Sequence, residues 1–459
     1  MKQIRILALL LALALCLAGC GSAPASSGAS SGSTSQAQGD AAIPQEALDD
    51  VVSYLTDGAY AADDVVATVG DTAVTAAQAL YWTAYQQYYM TYYYYSNYGM
   101  TFQMSDQMED GTTVGQSLLD FGVDTAVAYA VAAQRAQDNG VSLSEENAAA
   151  LETLYSDNVT SYGEDRWQAY VDAGLINESD YTVEQRAEWI QTEGESFYQH
   201  SLMYYATTPQ AYQDTFTNIY YFNTLRDNLF GEGGEYAPTE ETMADYLPTY
   251  IEDNGICWAR CILFSTMDCA DDAAVAEVQA QAQAVYDELS ALSGEALSAA
   301  FTERQSQYDT SGYTAGEVQY YTNTDSLVDG FYEGIQALEP GQVGMTEQTD
   351  YGYFILLREA DQTDDISANA QESYIVTTYD SLISQWTEEY GVSDVAGLEL
   401  DADAFYTKLS ELQQTLSDAD TLPTADTSSG DGTTSAGSTS SDGATSGGDA
   451  SSAGTDAQS

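Results

Sequence analysis

The chain has 459 residues and carries seventy-two acidic side chains against ten basic ones, a net charge of −62. Such a surface repels nucleic acid and anionic lipid, which argues against both as direct partners. One histidine, His200, occurs in the whole sequence. It rules out a multi-histidine metal centre and leaves a Ser-His-Asp triad only if His200 itself serves it.

The length allows two or three domains with sizeable cores. The acidity either attracts cationic clients and loosely held divalent ions or mainly keeps the protein soluble outside the cell. Residues 1–20 read as a secretion signal: Lys2 and Arg5 make a basic start, Ile6 to Leu17 an apolar run too short to span a bilayer, and Leu17-Ala18-Gly19-Cys20 a small-residue cleavage site. That ending resembles the bacterial lipobox, which implies a diacylglyceryl group on Cys20 and anchoring at the extracytoplasmic face of the cell membrane. Residues 21–42 are Ser, Gly, Ala and Gln with little to bury, a flexible linker reaching roughly 25 Å root-mean-square.

Val65 to Val69, the turn Gly70-Asp71 and Ala73 to Thr75 read as a small hairpin leading into a helix that contains Tyr85, Tyr88, Tyr89, Tyr92 to Tyr95 and Tyr98. Tyrosine is stiff and amphipathic, so these rings either pack against neighbouring helices or offer an adaptable surface to apolar segments. A long helix through Leu118, Phe121, Val127 and Tyr129 stops at Asn139-Gly140, and Ser142 with Glu145 predicts a capping box for the next. Trp167, Tyr170, Trp189, Phe197, Tyr204 and Tyr221 are further candidate core anchors, and His200 sits in a helical stretch among aromatics as a core or surface residue. Thr239 can cap a helix reaching about Tyr250.

Two short apolar segments follow, Cys257 to Phe264 and Thr349 to Arg358, each patterned as a buried strand. Between them lie a helix through Val275 to Leu289, a second carrying Leu297 and Phe301, the stretch Gly316-Glu317-Val318-Gln319-Tyr320-Tyr321, and the turn Glu339-Pro340-Gly341. Ala259-Arg260-Cys261-Ile262-Leu263 and Tyr351-Gly352-Tyr353-Phe354, in this order, resemble the parvulin-type peptidyl-prolyl isomerases. The hairpin and helices before them are similar to the chaperone domain of PrsA-type foldase lipoproteins. The resemblance implies an α+β fold, a mostly α-helical chaperone domain with an inserted small parvulin-type domain of short antiparallel strands and helices. It places helical chaperone structure at residues 43–245, the parvulin-like domain at 250–360, and C-terminal helices at 366–417 that pack back on the helical domain. Residues 424–459 hold only small and polar side chains and read as a disordered tail.

By the same resemblance Asp309 matches the family's Cys/Asp position, Cys261 and Phe354 replace its two histidines, and Tyr351 stands where several members carry Ser. Leu327 and Phe331 match the apolar walls of the proline pocket. A thiol is a weak donor and a phenyl ring donates nothing, so the walls are better kept than the polar floor. Neither a cofactor nor a metal is implied. Cys257 and Cys261 would lie about 13 Å apart along a strand, too far to bridge each other. Cys269 could pair with one of them only if its loop folds back; buried free thiols are the simpler state.

The implied function is that of a membrane-anchored extracytoplasmic foldase acting on unfolded or proline-containing exported polypeptides. Its parvulin-like site either works as an isomerase through Asp309, Cys261 and Tyr351 or only binds. A homodimer is left open. The alternative is a surface adhesion or ligand-binding lipoprotein whose tyrosine-rich helix makes the contact.

Overall fold

The computed structural model describes residues 42–101, 103–108, 110–309, 314–392 and 398–422. The signal segment, Cys20, the linker up to residue 41 and the tail from residue 424 lie outside the described residues.

Two short helices, α1 (Gln45–Asp49) and α2 (Val51–Leu55), precede the hairpin β1 (Val65–Val69) and β2 (Thr72–Thr75), whose turn places Gly70 at a φ of 57°. Thr75 then starts α3 (Ala76–Tyr98) with a reciprocal cap: its hydroxyl accepts the Gln78 N–H, and the Gln78 side chain accepts the Thr75 N–H. Helix α4 (Val114–Asp138) begins on a Thr113 cap. A third long helix, α5 (Glu145–Asp172), is capped by Ser144 and not by Ser142, its hydroxyl accepting the Asn147 N–H. This start puts Glu145 and Glu146 in the first turn, where the helix dipole favours acids. After it come α6 (Val183–Tyr204), with a Thr182–Gln185 capping box, and α7 (Pro209–Phe230), with proline at its first position. Helix α8 (Glu240–Asp253) is capped by Thr239 and runs three residues beyond Tyr250.

The next block is a four-stranded antiparallel sheet with helices on both faces. In chain order it contains β3 (Cys257–Ser265), α9 (Asp272–Ser290), α10 (Gly294–Tyr308), β4 (Gln319–Tyr321), α11 (Phe331–Gln336), β5 (Val343–Met345) and β6 (Gly352–Arg358). The strand order is β4-β3-β6-β5, with Cys261 opposite Leu356 and Leu263 opposite Phe354. Two helices finish the described chain, α12 (Ser367–Glu389) and α13 (Ala402–Asp420).

One hydrophobic core joins α1 to α4, α7, α12 and α13. The α3–α4 contact is close because small residues face each other: a Cβ added at Gly122 would come within 2.0 Å of the Thr83 hydroxyl. On α12 the Tyr379 ring lies 4.7 Å from that of Phe222, and its hydroxyl donates to the Phe222 carbonyl at 2.8 Å. Helix α13 buries Phe405, Leu409, Leu412 and Leu416 in the same core. Segments before and after the sheet therefore complete a single body. Helices α5 and α6 form an arm with two small clusters of its own, around Val159, Tyr198 and Leu202 and around Trp167, Ile176 and Ile190. Of the six expected anchors only Trp167 is fully buried; Tyr170, Trp189, Phe197, Tyr204 and Tyr221 are half-buried.

Helix α3 changes character along its length. Ala76 to Ala84 and Gln86 are buried with the exception of half-buried Tyr85, whereas from Thr91 onward every residue is exposed.

Candidate functional site

Strand alternation sends β3 residues to opposite sides of the sheet. Ile262 and Phe264 join Tyr353, Ile355 and Leu357 under α9 and α10. Cys257, Ala259, Cys261 and Leu263 join Phe354 and Leu356 on the other side, beneath Phe331 and Ile335 of α11. That second side collects four of the six residues expected at the parvulin-like site, Cys261, Phe354, Phe331 and Leu327.

The Phe354 ring meets Phe331 edge-on at 4.8 Å, and Phe331 meets Tyr321 at 5.2 Å. Phe331 is only 4% exposed and Phe354 8%, so these rings fill the centre of the face themselves. Leu327, with Val328, Tyr332 and Leu338, is half-buried at the margin of this cluster. Asp309, directly after α10, turns its carboxylate to the strand backbone, where it accepts the Leu263 N–H at 2.9 Å.

Burial first, and then the negative charge of Asp309, push the Cys261 thiol up to about 12, against the opposing effect of a hydrogen bond from Tyr321. At neutral pH the sulfur is a protonated thiol and a poor nucleophile. Burial raises Cys257 as well. Cys257, Cys261 and Cys269 are free thiols, the first two buried. Among the described residues no group of acidic, cysteine and histidine side chains could hold a metal ion.

Tyr351 stands apart. It occupies the turn before β6, 45% exposed, with its carbonyl accepting from Thr266 at the far end of β3. Gly352 makes that turn: its φ is 133°, and a Cβ there would sit 2.1 Å from the Phe264 carbonyl oxygen.

Three residues to which the sequence assigns no site role hold the face in place. Gln305 of α10, buried, donates to the Cys261 carbonyl at 3.0 Å and accepts from the Gly316 N–H at 2.8 Å. Arg260, 4% exposed, pairs with Glu359 at 2.6 Å, donates to Thr302 and Ser298 and lies over the Phe301 ring. Tyr321 presents its ring to Phe331. Its place was readable: it pairs with Cys257 and shares that residue's side of the sheet. Gln305 and Arg260 carried no comparable signal, since their partners come from other elements.

His200 lies far along the chain from this sheet, with Nδ1 2.7 Å from the Asp420 carboxylate, joining α6 to the end of α13. The pair serves as a tie between these two helices.

The arrangement offers an apolar surface, one carboxylate committed to a backbone amide, and no imidazole. No protein-family profile matches the chain, and no curated protein matches it in sequence. Solved structures do resemble it. PrsA from Bacillus subtilis is 12% identical, the match covering 66% of this chain and 98% of that one at a TM-score of 0.19. The peptidylprolyl isomerase PrsA from Bacillus cereus is 13% identical over 67% and 99% of the two chains at a TM-score of 0.20. A SurA-like chaperone of Campylobacter jejuni is 14% identical over 51% and 95%, again at 0.19. What this chain can do is decided by its own side chains.

Proposed function

We propose that this protein is an extracytoplasmic foldase of the holding kind, in which a helical body and a parvulin-like sheet module bind unfolded exported polypeptides, the module gripping apolar or prolyl segments without accelerating their isomerisation. The observation that carries this reading is the packing of Phe331 on Phe354 above a protonated Cys261. Rotation about an X–Pro bond crosses a barrier of about 18–20 kcal/mol, and lowering it requires groups that respond to the twisting imide. A phenyl ring and a neutral thiol supply little of that, and Asp309 already serves the Leu263 amide. Leu327 and its neighbours still give a bound side chain an apolar seat.

In this reading residues 43–245 and 366–417 form the chaperone body and residues 250–360 the parvulin-like module. Cys20 carries the lipid that holds the protein to the outer face of the membrane, residues 21–42 act as the tether, and 424–459 as a solvated tail. Among the described residues no helix is long and apolar enough to cross a membrane.

Two assays on the full chain test the proposal. Aggregation of a denatured client diluted into buffer is expected to fall at equimolar protein. The slow, proline-limited phase of a model refolding reaction is expected to keep its uncatalysed rate. A refolding rate that rises with protein concentration would sink the binding-only assignment, and undiminished aggregation would sink the holding role.

A further inference from the structure

The outer half of α3 is a strip of aromatic rings that reaches solvent. Tyr92, Tyr95 and Tyr98 are 58%, 57% and 59% exposed, and Met100 just beyond is 58% exposed. The rings meet one another at helical spacing, Tyr88 stacked on Tyr92 at 6.4 Å, Tyr89 stacked on Tyr93 at 6.0 Å and Tyr94 tilted against Tyr98 at 6.0 Å. The inner end meets α6 and the residue that ends it, through Tyr88 against Tyr204 and Tyr205. From Ala76 to Tyr98 the helix contains no acidic or basic residue.

The protein's own cations show what such rings attract. Arg135, Arg166, Arg186, Arg260 and Lys408 each lie over an aromatic face, at 4.9 to 5.5 Å from the ring centre. Among the described residues every Lys and Arg is engaged in addition with a carboxylate or a carbonyl: Arg135 with Glu389, Arg186 with Glu164, Arg226 with Asp227, Arg260 with Glu359, Arg304 with Glu288, Arg358 with Asp361, Lys408 with Asp57, and Arg166 with the Asp420 carbonyl. Among the described residues no cation is left over for the α3 strip. Charge also decides against a second copy, because two chains of −62 each would have to meet there. A cationic chain is drawn by the same field.

We propose that the exposed tyrosine strip of α3 is the docking surface for arginine- and lysine-bearing segments of extended polypeptide, held by cation–π contact with Tyr92, Tyr95 and Tyr98 and steered there by the acidic surface. The proposal rests on the foldase reading and names the class of client segment that the helical body takes. Arginine is favoured over lysine because its planar, weakly hydrated guanidinium stacks on a ring face.

The test uses fluorescence anisotropy of a labelled peptide of Gly, Ser and Arg with the full chain, beside Lys and Glu peptides of the same length. Binding is expected in the order Arg, Lys, Glu. The triple variant Tyr92→Gln, Tyr95→Gln and Tyr98→Gln, all at exposed helical positions, is expected to lose about tenfold in affinity for the Arg peptide. The triple Tyr→Phe variant, which keeps the rings, is expected to bind as the wild type does. Unchanged Arg-peptide binding by the Gln variant would overturn the proposal in favour of diffuse attraction to the carboxylates. Equal binding of Arg and Glu peptides, or loss in the Phe variant, would overturn it too. Suppression of client aggregation, measured on the same preparations, keeps the two claims separable. Protection that persists while Arg binding ignores the tyrosines removes the docking surface and leaves the foldase; ring-dependent Arg binding without protection does the reverse.

Discussion

Burial in the sheet module follows chain parity, whereas burial in the helical body follows ring-to-ring contact. Along β3, odd residues face α11 and even ones face α9, α10 or α8, so neighbours such as Cys261 and Ile262 belong to different cores. In the helical body the Trp82 ring stacks on Tyr129 at 5.1 Å, Tyr129 meets Phe222, and Phe222 meets Tyr379. A two-faced sheet keeps its apolar units small and local. An aromatic chain spreads one core across helices far apart in sequence, and its last rings, on α3, run out into solvent. The contrast teaches where each region is vulnerable: the module at single side chains, the body at the joins between distant helices.

The sharpest way to break the comparison is Phe331→Ala. Removing a buried ring that touches both Phe354 and Tyr321 is expected to destabilise the module by about 3–5 kcal/mol. Hydrogen exchange should show the amides of β3 and β6 losing protection while those of α4 keep theirs. Equal loss in α4 would mean that module and body unfold as one unit.

The next effect belongs to the body. Asp380 of α12 is buried with one carboxylate oxygen lacking a hydrogen-bond partner, and burial pushes its pKa up from 3.8 to about 7. Well below pH 3.8 the group is neutral in both folded and unfolded chains and has no effect. As pH rises toward 7 the unfolded chain releases the proton while the folded one retains it, so stability falls, by up to about 4 kcal/mol, and then levels off. Asp380→Asn is expected to remove that decline in denaturant melts taken between pH 4 and pH 8. A wild-type slope that survives in the variant would place its origin in other carboxylates.

Much of this was readable in residue order. The hairpin, the Asn139-Gly140 stop, the Thr239 cap and the two buried strands follow from local chemistry, but alternation puts Cys261 and Phe354 on one side of the sheet only because the register pairs Leu263 with Phe354. Asp309 meets them because α10 ends beside β3, a relation fixed by helix packing and not by any spacing along the chain. Tyr351 illustrates the limit from the other direction. It is three residues from Phe354, yet the backbone at Gly352 leaves the extended strand and carries its ring to the surface. Burial of Arg260 was equally silent, for its stem and charge are satisfied by Ser298, Thr302 and Glu359, which no strand pattern anticipates.

A smaller and more local effect is expected at the arm. Gly163 of α5 and Gly194 of α6 let the two helices cross so closely that a Cβ at Gly163 would lie 2.1 Å from the Ile190 carbonyl oxygen. Gly163→Ala should force the helices apart at a cost of about 1–3 kcal/mol. Exchange protection is expected to drop in α5 and α6 only. If α3 and α4 soften with them, the arm is part of the aromatic body and not a separate unit.

The smallest effect is the one that speaks most directly to the site. Asp309→Asn keeps an oxygen for the Leu263 N–H but removes the charge, a loss of about 1 kcal/mol for a hydrogen bond turned from charged to neutral. The same change removes one of the two causes that raise the Cys261 thiol. Its pKa should fall from about 12, yet stay above that of an ordinary cysteine, because burial is the larger cause and is untouched. Following thiolate absorbance during a pH titration of the variant checks this. A Cys261 that titrated like a free cysteine would mean that Asp309 alone keeps the site inert, and that a single charge separates a binding face from a reactive one. A thiol that stays high fixes the cause in the rings around it: Phe331 and Phe354 exclude the water that an ionised sulfur would need, and the same exclusion makes this face a seat for apolar segments.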